Sequence, residues 1–180
     1  MIMAATAVPS RPVSRTCNDL PEETRAKMIE LLNLRLADAI DLATQTKQAH
    51  WNVRGPSFYG LHKLFDKINE AVGEYVDSLA ERAAQLGGEV QGTLRQVAGR
   101  TTLPEYPAGV RSGRDHVKAM TAALSTFGRS AREAIDTADE AEDKDTADVF
   151  TENSRGIDPW LWLVEAHSQA DNLPTDRGGG

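Results

Sequence analysis

The stretch His50-Trp51-Asn52-Val53-Arg54-Gly55-Pro56-Ser57-Phe58-Tyr59-Gly60-Leu61-His62-Lys63-Leu64-Phe65-Asp66, followed eleven residues later by Asp77-Ser78-Leu79-Ala80-Glu81-Arg82, decides how this chain folds. It sets two imidazoles and three carboxylates in a mostly helical pattern, the mixed nitrogen and oxygen donor set that suits iron, manganese or zinc. From Phe58 to Leu86 there is no proline, and Phe58, Leu61, Phe65, Ile68, Val72, Tyr75, Val76, Leu79, Ala83 and Leu86 recur largely at three- and four-residue intervals, as on an amphipathic helix. Gly87-Gly88 supplies the stop.

His62 and Asp66 are four apart, as are Asp77 and Glu81, so each pair projects from adjacent turns. At about 100° per residue, the eleven steps from Asp66 to Asp77 return to within about 20° of the starting direction, and all four side chains share one stripe. The rise of about 1.5 Å per residue nevertheless separates the Asp66 and Asp77 backbones by roughly 16 Å. First-shell ligands sit only about 2.0–2.2 Å from a metal, so one ion cannot use both pairs of one helix. Either the pairs do unrelated things, or a second copy runs antiparallel alongside and offers its Asp77 and Glu81 to the first copy's His62 and Asp66. A two-fold dimer would make two such sites.

These residues resemble the Dps-type mini-ferritins, the DNA-binding proteins from starved cells. The resemblance runs through His-Trp-Asn-Val-x-Gly-x-x-Phe, Leu-His-x-x-Phe-Asp, Asp-x-x-Ala-Glu-Arg and Leu-Gly-Gly, and covers residues 20 to 170. It implies a ferroxidase centre between two-fold related subunits, with His50, His62 and Asp66 from one chain and Asp77 and Glu81 from its neighbour as catalytic metal ligands. Iron (Fe2+/Fe3+) is the expected metal, with zinc as a competing occupant. The implied activity is oxidation of Fe(II) by hydrogen peroxide, or more slowly by O2, with ferric mineral stored in a hollow dodecamer and DNA protected from oxidative damage. Taken singly, a helical histidine is more often exposed or core than a ligand, and carboxylates four apart usually form a solvated face. The five in phase, inside the family string, carry the assignment.

The fold expected is all-α, a ferritin-like four-helix bundle with a long crossover, carrying a short helix, between helices two and three. A chain of 180 residues suits one domain. The first helix is expected from Pro21, with Asp19 or Leu20 at the cap, to about Trp51; the second starts after Arg54-Gly55-Pro56-Ser57. The crossover spans Gly88 to about Ser112, with a short helix over Thr93 to Ala98. The third helix runs from about Ser112 to Ala141 and the fourth from about Lys144 to Ser168. A crossover that traverses the bundle is what a ferritin-like fold needs. Ordinary ferritins, the nearest rival, build the site inside one bundle from Glu-x-x-His motifs, and no Glu here has His three positions later.

Other residues carry weaker signals. His116 reads as structural or surface, and His167 as a helix-end histidine favoured by the helix dipole. Trp51 abuts His50 and, by resemblance, is a redox-active residue that intercepts radicals; its bland role is an aromatic sealing an interface. Trp160 and Trp162 read as packing residues. Arg82 reads as an ion-pair partner orienting a ligand carboxylate. Pro159 removes a helical hydrogen bond, so a kink, break or new start is expected near Asp158. The run from Asp136 to Asp148 has seven carboxylates against Lys144 alone. Such runs are usually solvated turns, but by resemblance the start of the last helix lines three-fold channels, and Asp143, Asp148 and Glu152 would concentrate entering iron there.

The net charge of −7 opposes non-specific attraction to DNA. Residues 1 to 18 contain Arg11 and Arg15 but no lysine, whereas DNA binding in the resembling family often uses a lysine-rich tail. Weak DNA binding through clustered tails stays open, and the alternative function is a nucleoid-associated DNA-binding protein whose metal site is secondary. A monomeric helical interaction module is a distant third. Residues 1–18 and 171–180 read as loose tails flanking a bundle over 19–170. No stretch approaches eighteen apolar residues, so no membrane span is expected. Cys17 is the only cysteine, which suits a cytoplasmic setting.

Overall fold

The computed structural model describes residues 13–169. Five helices follow one another: α1 (Glu22–Asn52), α2 (Phe58–Gln85), α3 (Leu94–Ala98), α4 (Gly113–Glu140) and α5 (Lys144–Gln169). The apolar spacing of α2 becomes a continuous buried seam of Leu61, Phe65, Ile68, Val72, Tyr75, Leu79 and Ala83. On α4 the matching seam is Val117, Met120, Leu124, Phe127, Ala131, Ala134 and Ala138. α1 packs mainly on α2, and α4 on α5; α1 against α4 and α2 against α5 join the two hairpins around one core. Phe65, Phe127 and Phe150 are among its largest fully buried side chains, each contributing about 1.5–3 kcal/mol by leaving water.

The helix ends follow from short-range chemistry. After α2, the Gly87 N–H donates to the Ala84 carbonyl and the Gly88 N–H to the Ala83 carbonyl, both at 2.9 Å, a Schellman closure with Gly87 at φ +86°. A side chain at either glycine would collide: a Cβ on Gly87 would lie 2.6 Å from the Ser14 carbonyl oxygen, and one on Gly88 2.5 Å from Ile29. Thr93 and Gln96 form a capping box on α3. The Asp115 N–H donates to Ser112 Oγ at 3.1 Å at the start of α4. Residues 86–112 connect α2 to α4 along the bundle, packing α3 on α1. Asp38 on α1 ties that connection down, accepting from the Thr102 N–H at 2.6 Å.

Three details depart from the sequence reading. α5 runs through Pro159 as one helix, with no break or new start near Asp158. Pro159 and Arg155 are both exposed, so the carbonyl that loses its donor faces water. Buried Ile157 and Val164 hold the turns on either side to one core, offsetting a local cost of about 3 kcal/mol. Trp162 is exposed, unlike partly buried Trp160. The described part of the expected N-terminal tail is attached: the Ser14 N–H donates to the Gly87 carbonyl at 2.9 Å. The rest of that tail and residues 170–180 lie outside the described residues. Among the described residues, no helix is long and apolar enough to cross a membrane.

Candidate metal centre

His50 lies in the last turn of α1 and His62 near the start of α2, so the short loop between the antiparallel helices folds one ring onto the other. The rings stack with centroids 3.8 Å apart and planes at 22°. Each Nδ1 meets the other residue's backbone carbonyl, His50 to His62 at 2.8 Å and His62 to His50 at 3.0 Å. A carbonyl only accepts, so both Nδ1 atoms are the donors, and a ring in its neutral form then keeps its lone pair on Nε2. This is how metal-binding histidines are oriented from behind.

Asp66, one turn beyond His62, brings its carboxylate alongside. Its Oδ1 lies 3.8 Å from His50 Nδ1 and 2.5 Å from Lys47 Nζ. The hydrogen bond from Lys47 holds the Asp66 carboxyl below the usual carboxylate range. Sequence reasoning missed Lys47, although it stands three residues before His50 on the same face of α1.

Asp77 and Glu81 stand exposed farther along α2. Within this single chain, among the described residues, no three His, Cys, Asp or Glu side chains converge to enclose a metal ion. The two histidines stack on each other and Asp66 lies beside His50; Asp77 and Glu81 do not join them.

Residues 29–172 match the family model described as a ferritin-like domain. The DNA protection during starvation protein of Agrobacterium fabrum is 43% identical over 155 residues, covering 86% of this chain and 96% of that protein. The chain superposes on DpsC from Streptomyces coelicolor with a TM-score of 0.83 at 32% identity, covering 87% and 91% of the two chains. Mycobacterium smegmatis Dps gives 0.82 at 28% identity, covering 87% and 89%. The chain is a Dps-type member of the ferritin-like family.

In this Dps-type chain Arg82 pairs, among the described residues, with Asp143 and Asp145 of the α4–α5 corner rather than with Asp66, Asp77 or Glu81. One step past Glu81 it turns about 100° inward, is buried, and reaches the start of α5: Nε donates to Thr146 Oγ1 at 2.9 Å and Nη2 to Asp143 Oδ1 at 2.8 Å. Asp143, 2% exposed, also accepts from the Thr146 N–H at 3.0 Å and caps α5. It is thus engaged within the fold, whereas Asp148 and Glu152, four apart on α5, are exposed.

His116 is fully buried, with Nδ1 against the Tyr106 hydroxyl. Its Nε2 makes no well-formed hydrogen bond, although the Asn52 carbonyl is near enough to favour the proton; burial outweighs this and lowers its pKa. It is a structural histidine. His167 is exposed near the end of α5. Trp51, beside His50, is 70% exposed in the single chain.

Proposed function

We propose that this protein is an iron-storage and detoxification protein that oxidises Fe(II) with hydrogen peroxide, or more slowly with O2, at centres shared by two-fold related copies in a hollow dodecamer. The reading rests above all on the reciprocal contacts of His50 and His62, which leave both Nε2 lone pairs available to a cation. Asp66 supplies an anionic oxygen close to His50, 3.8 Å from its Nδ1. Asp77 and Glu81 of an antiparallel copy would complete the set, because the roughly 16 Å between the two pairs along one helix demands a second chain.

The residues divide the work. The histidines bind substrate Fe(II) only when neutral. Asp66 must exchange its Lys47 partner for the cation, so Lys47 holds the carboxylate ionised until iron arrives. Two Fe(II) ions give one electron each to one peroxide, and two protons complete two waters: 2 Fe2+ + H2O2 + 2 H+ gives 2 Fe3+ + 2 H2O. Delivering both electrons in one event avoids hydroxyl radical and so protects DNA, in keeping with the name of the Agrobacterium relative. Zinc, which accepts the same donors, would compete for the site. Trp51 stands beside the centre as an oxidisable residue. Asp148 and Glu152 are the carboxylates suited to line an iron-entry channel. The setting that fits this chemistry is the cytoplasm.

The test is anaerobic Fe(II) loading of the assembled protein followed by stoichiometric peroxide, comparing wild type with the His62→Ala, Asp77→Asn double variant. Fast oxidation in the wild type and a loss of at least about tenfold in an intact variant oligomer are expected, the scale of losing metal ligation or its support. Equal rates would overturn the shared centre. Salt-dependent DNA retardation lost with residues 1–18, in a protein with no iron oxidation, would instead favour the nucleoid role.

A further inference from the structure

Where the loop between α1 and α2 meets the start of α4 and the end of α5, a recess of about 560 Å3 is lined by Arg54, Arg111, Arg114 and His167. Among the described residues no carboxylate lines it, although acids outnumber bases 27 to 20 in the chain. Three guanidiniums thus gather in one hollow of an acidic protein.

The framework fixes where these cations stand. The backbones of Arg54 and Ser112 form a parallel bridge, and the Gly113 N–H donates to the Arg54 carbonyl at 3.2 Å. Arg54 and Arg111 are therefore held on neighbouring strands of loop. A Cβ on Gly113 would stand 2.9 Å from Leu61 Cδ1, so the loop approaches α2 closely. Among the described residues neither Arg54 nor Arg111 has an ion-pair partner. The nearby acid, Asp115, accepts instead from Ser112 Oγ at 2.6 Å. α2, whose preceding residues Gly55, Pro56 and Ser57 line the recess, has no acidic residue in its first turn and no side-chain cap. Its orphan N–H groups add positive potential.

We propose that this recess binds a phosphate-type oxyanion, and that free orthophosphate is the form it takes. Guanidinium forks match the oxygens of a tetrahedral anion bidentately. A recess lined by several such forks suits a compact dianion carrying its own charge. DNA is the less suited source of the same chemistry, because a long polyanion must also approach the rest of a chain of net charge −7. This site is separate from the half-centre at His50, His62 and Asp66, none of which lines it.

Calorimetric titration of the iron-free assembled protein with orthophosphate, in a buffer free of phosphate and sulfate, tests the proposal. The wild type should bind saturably with one site per subunit. Arg54→Gln with Arg111→Gln should weaken binding at least tenfold, while exposed Arg95→Gln with Arg129→Gln leaves it unchanged. Circular dichroism and particle mass check that the variants remain folded and assembled. Should the double glutamine variant fail to assemble, Arg54→Lys and Arg111→Lys singly keep the charge but lose the fork, and each should weaken binding measurably. Equal affinity in the wild type and the recess variants, or no saturable binding in the millimolar range, overturns the proposal. A short DNA duplex should not displace orthophosphate; a duplex that binds through Arg54 and Arg111 while orthophosphate fails to compete also overturns it.

Discussion

Lys47 Nζ lies 2.5 Å from Asp66 Oδ1, so the carboxylate beside His50 is already held by a cation of the same chain. Both groups are about one-third exposed, so solvent screens the pair and it is a weak one. Replacing Lys47 by Met should therefore tighten anaerobic Fe(II) binding up to about fivefold, since a cation no longer has to be displaced. The Asp66 carboxyl should also rise towards its ordinary value. In the wild type its depressed pKa gives stability present above the unfolded value and lost as pH falls through the folded one. Carboxyl NMR titration of Asp66 checks the shift. An unchanged titration in Lys47→Met would mean that Lys47 does not govern this carboxylate.

Much of the fold was legible because its determinants are local. Ser112, Thr93 and Gly87-Gly88 mark helix ends by hydrogen bonds to residues three to five positions away, and the buried seam of α2 is periodic in the sequence itself. Pro159 does not break α5 because its local penalty is offset by the packing of Ile157 and Val164, which is tertiary. The pairing of Arg82 with Asp143 was not legible for a related reason: neighbours in sequence to exposed acids, they turn inward and meet across 61 residues, a direction that charge alone does not reveal. The paired histidines were legible by spacing, but their tautomer was not, since it is set by two backbone carbonyls. Lys47 was overlooked although its phase with His50 was readable.

The Arg82–Asp143 pair should be among the most sensitive polar contacts of the subunit. With Arg82 and Asp143 both buried, Arg82→Ala strands a carboxylate and should cost about 3–5 kcal/mol. Lys at this position cannot reproduce the two-directional contact to Thr146 and Asp143, so Arg82→Lys should recover only part of the loss. Chemical denaturation at fixed protein concentration measures both, because assembly contributes to apparent stability. A loss below about 1 kcal/mol in Arg82→Ala would show that Asp143 finds water or another donor.

Glu142 closes α4 in the left-handed conformation, at φ +59°. Its N–H donates to the Asp139 carbonyl at 3.0 Å and the Asp143 N–H to the Ala138 carbonyl at 3.1 Å, the same closure that Gly87 makes after α2. A side chain there is strained where glycine is not. Glu142→Gly should raise stability by about 0.5–1 kcal/mol, net of glycine's greater unfolded-state entropy. Gly87→Ala should act in reverse and more strongly, since the new methyl also meets the Ser14 carbonyl. Denaturation midpoints of the two variants should move in opposite directions.

His116 links stability to pH. Burial lowers its pKa in the folded chain from the ordinary 6.5, so below that value the unfolded chain binds a proton that the native one resists. Stability is therefore expected to fall as pH drops below about 6.5, and to level off only beneath the folded-state pKa. The surroundings reinforce the sign: Nδ1 meets the Tyr106 hydroxyl, whose own pKa is raised by burial, and Asp115 offers only partial compensation. His116→Gln removes the titration and should flatten that acid limb, at the cost of a lower plateau near neutral pH from lost packing. Melting temperatures of wild type and variant between pH 8 and pH 5 decide the matter, and parallel curves would assign the acid sensitivity to other groups.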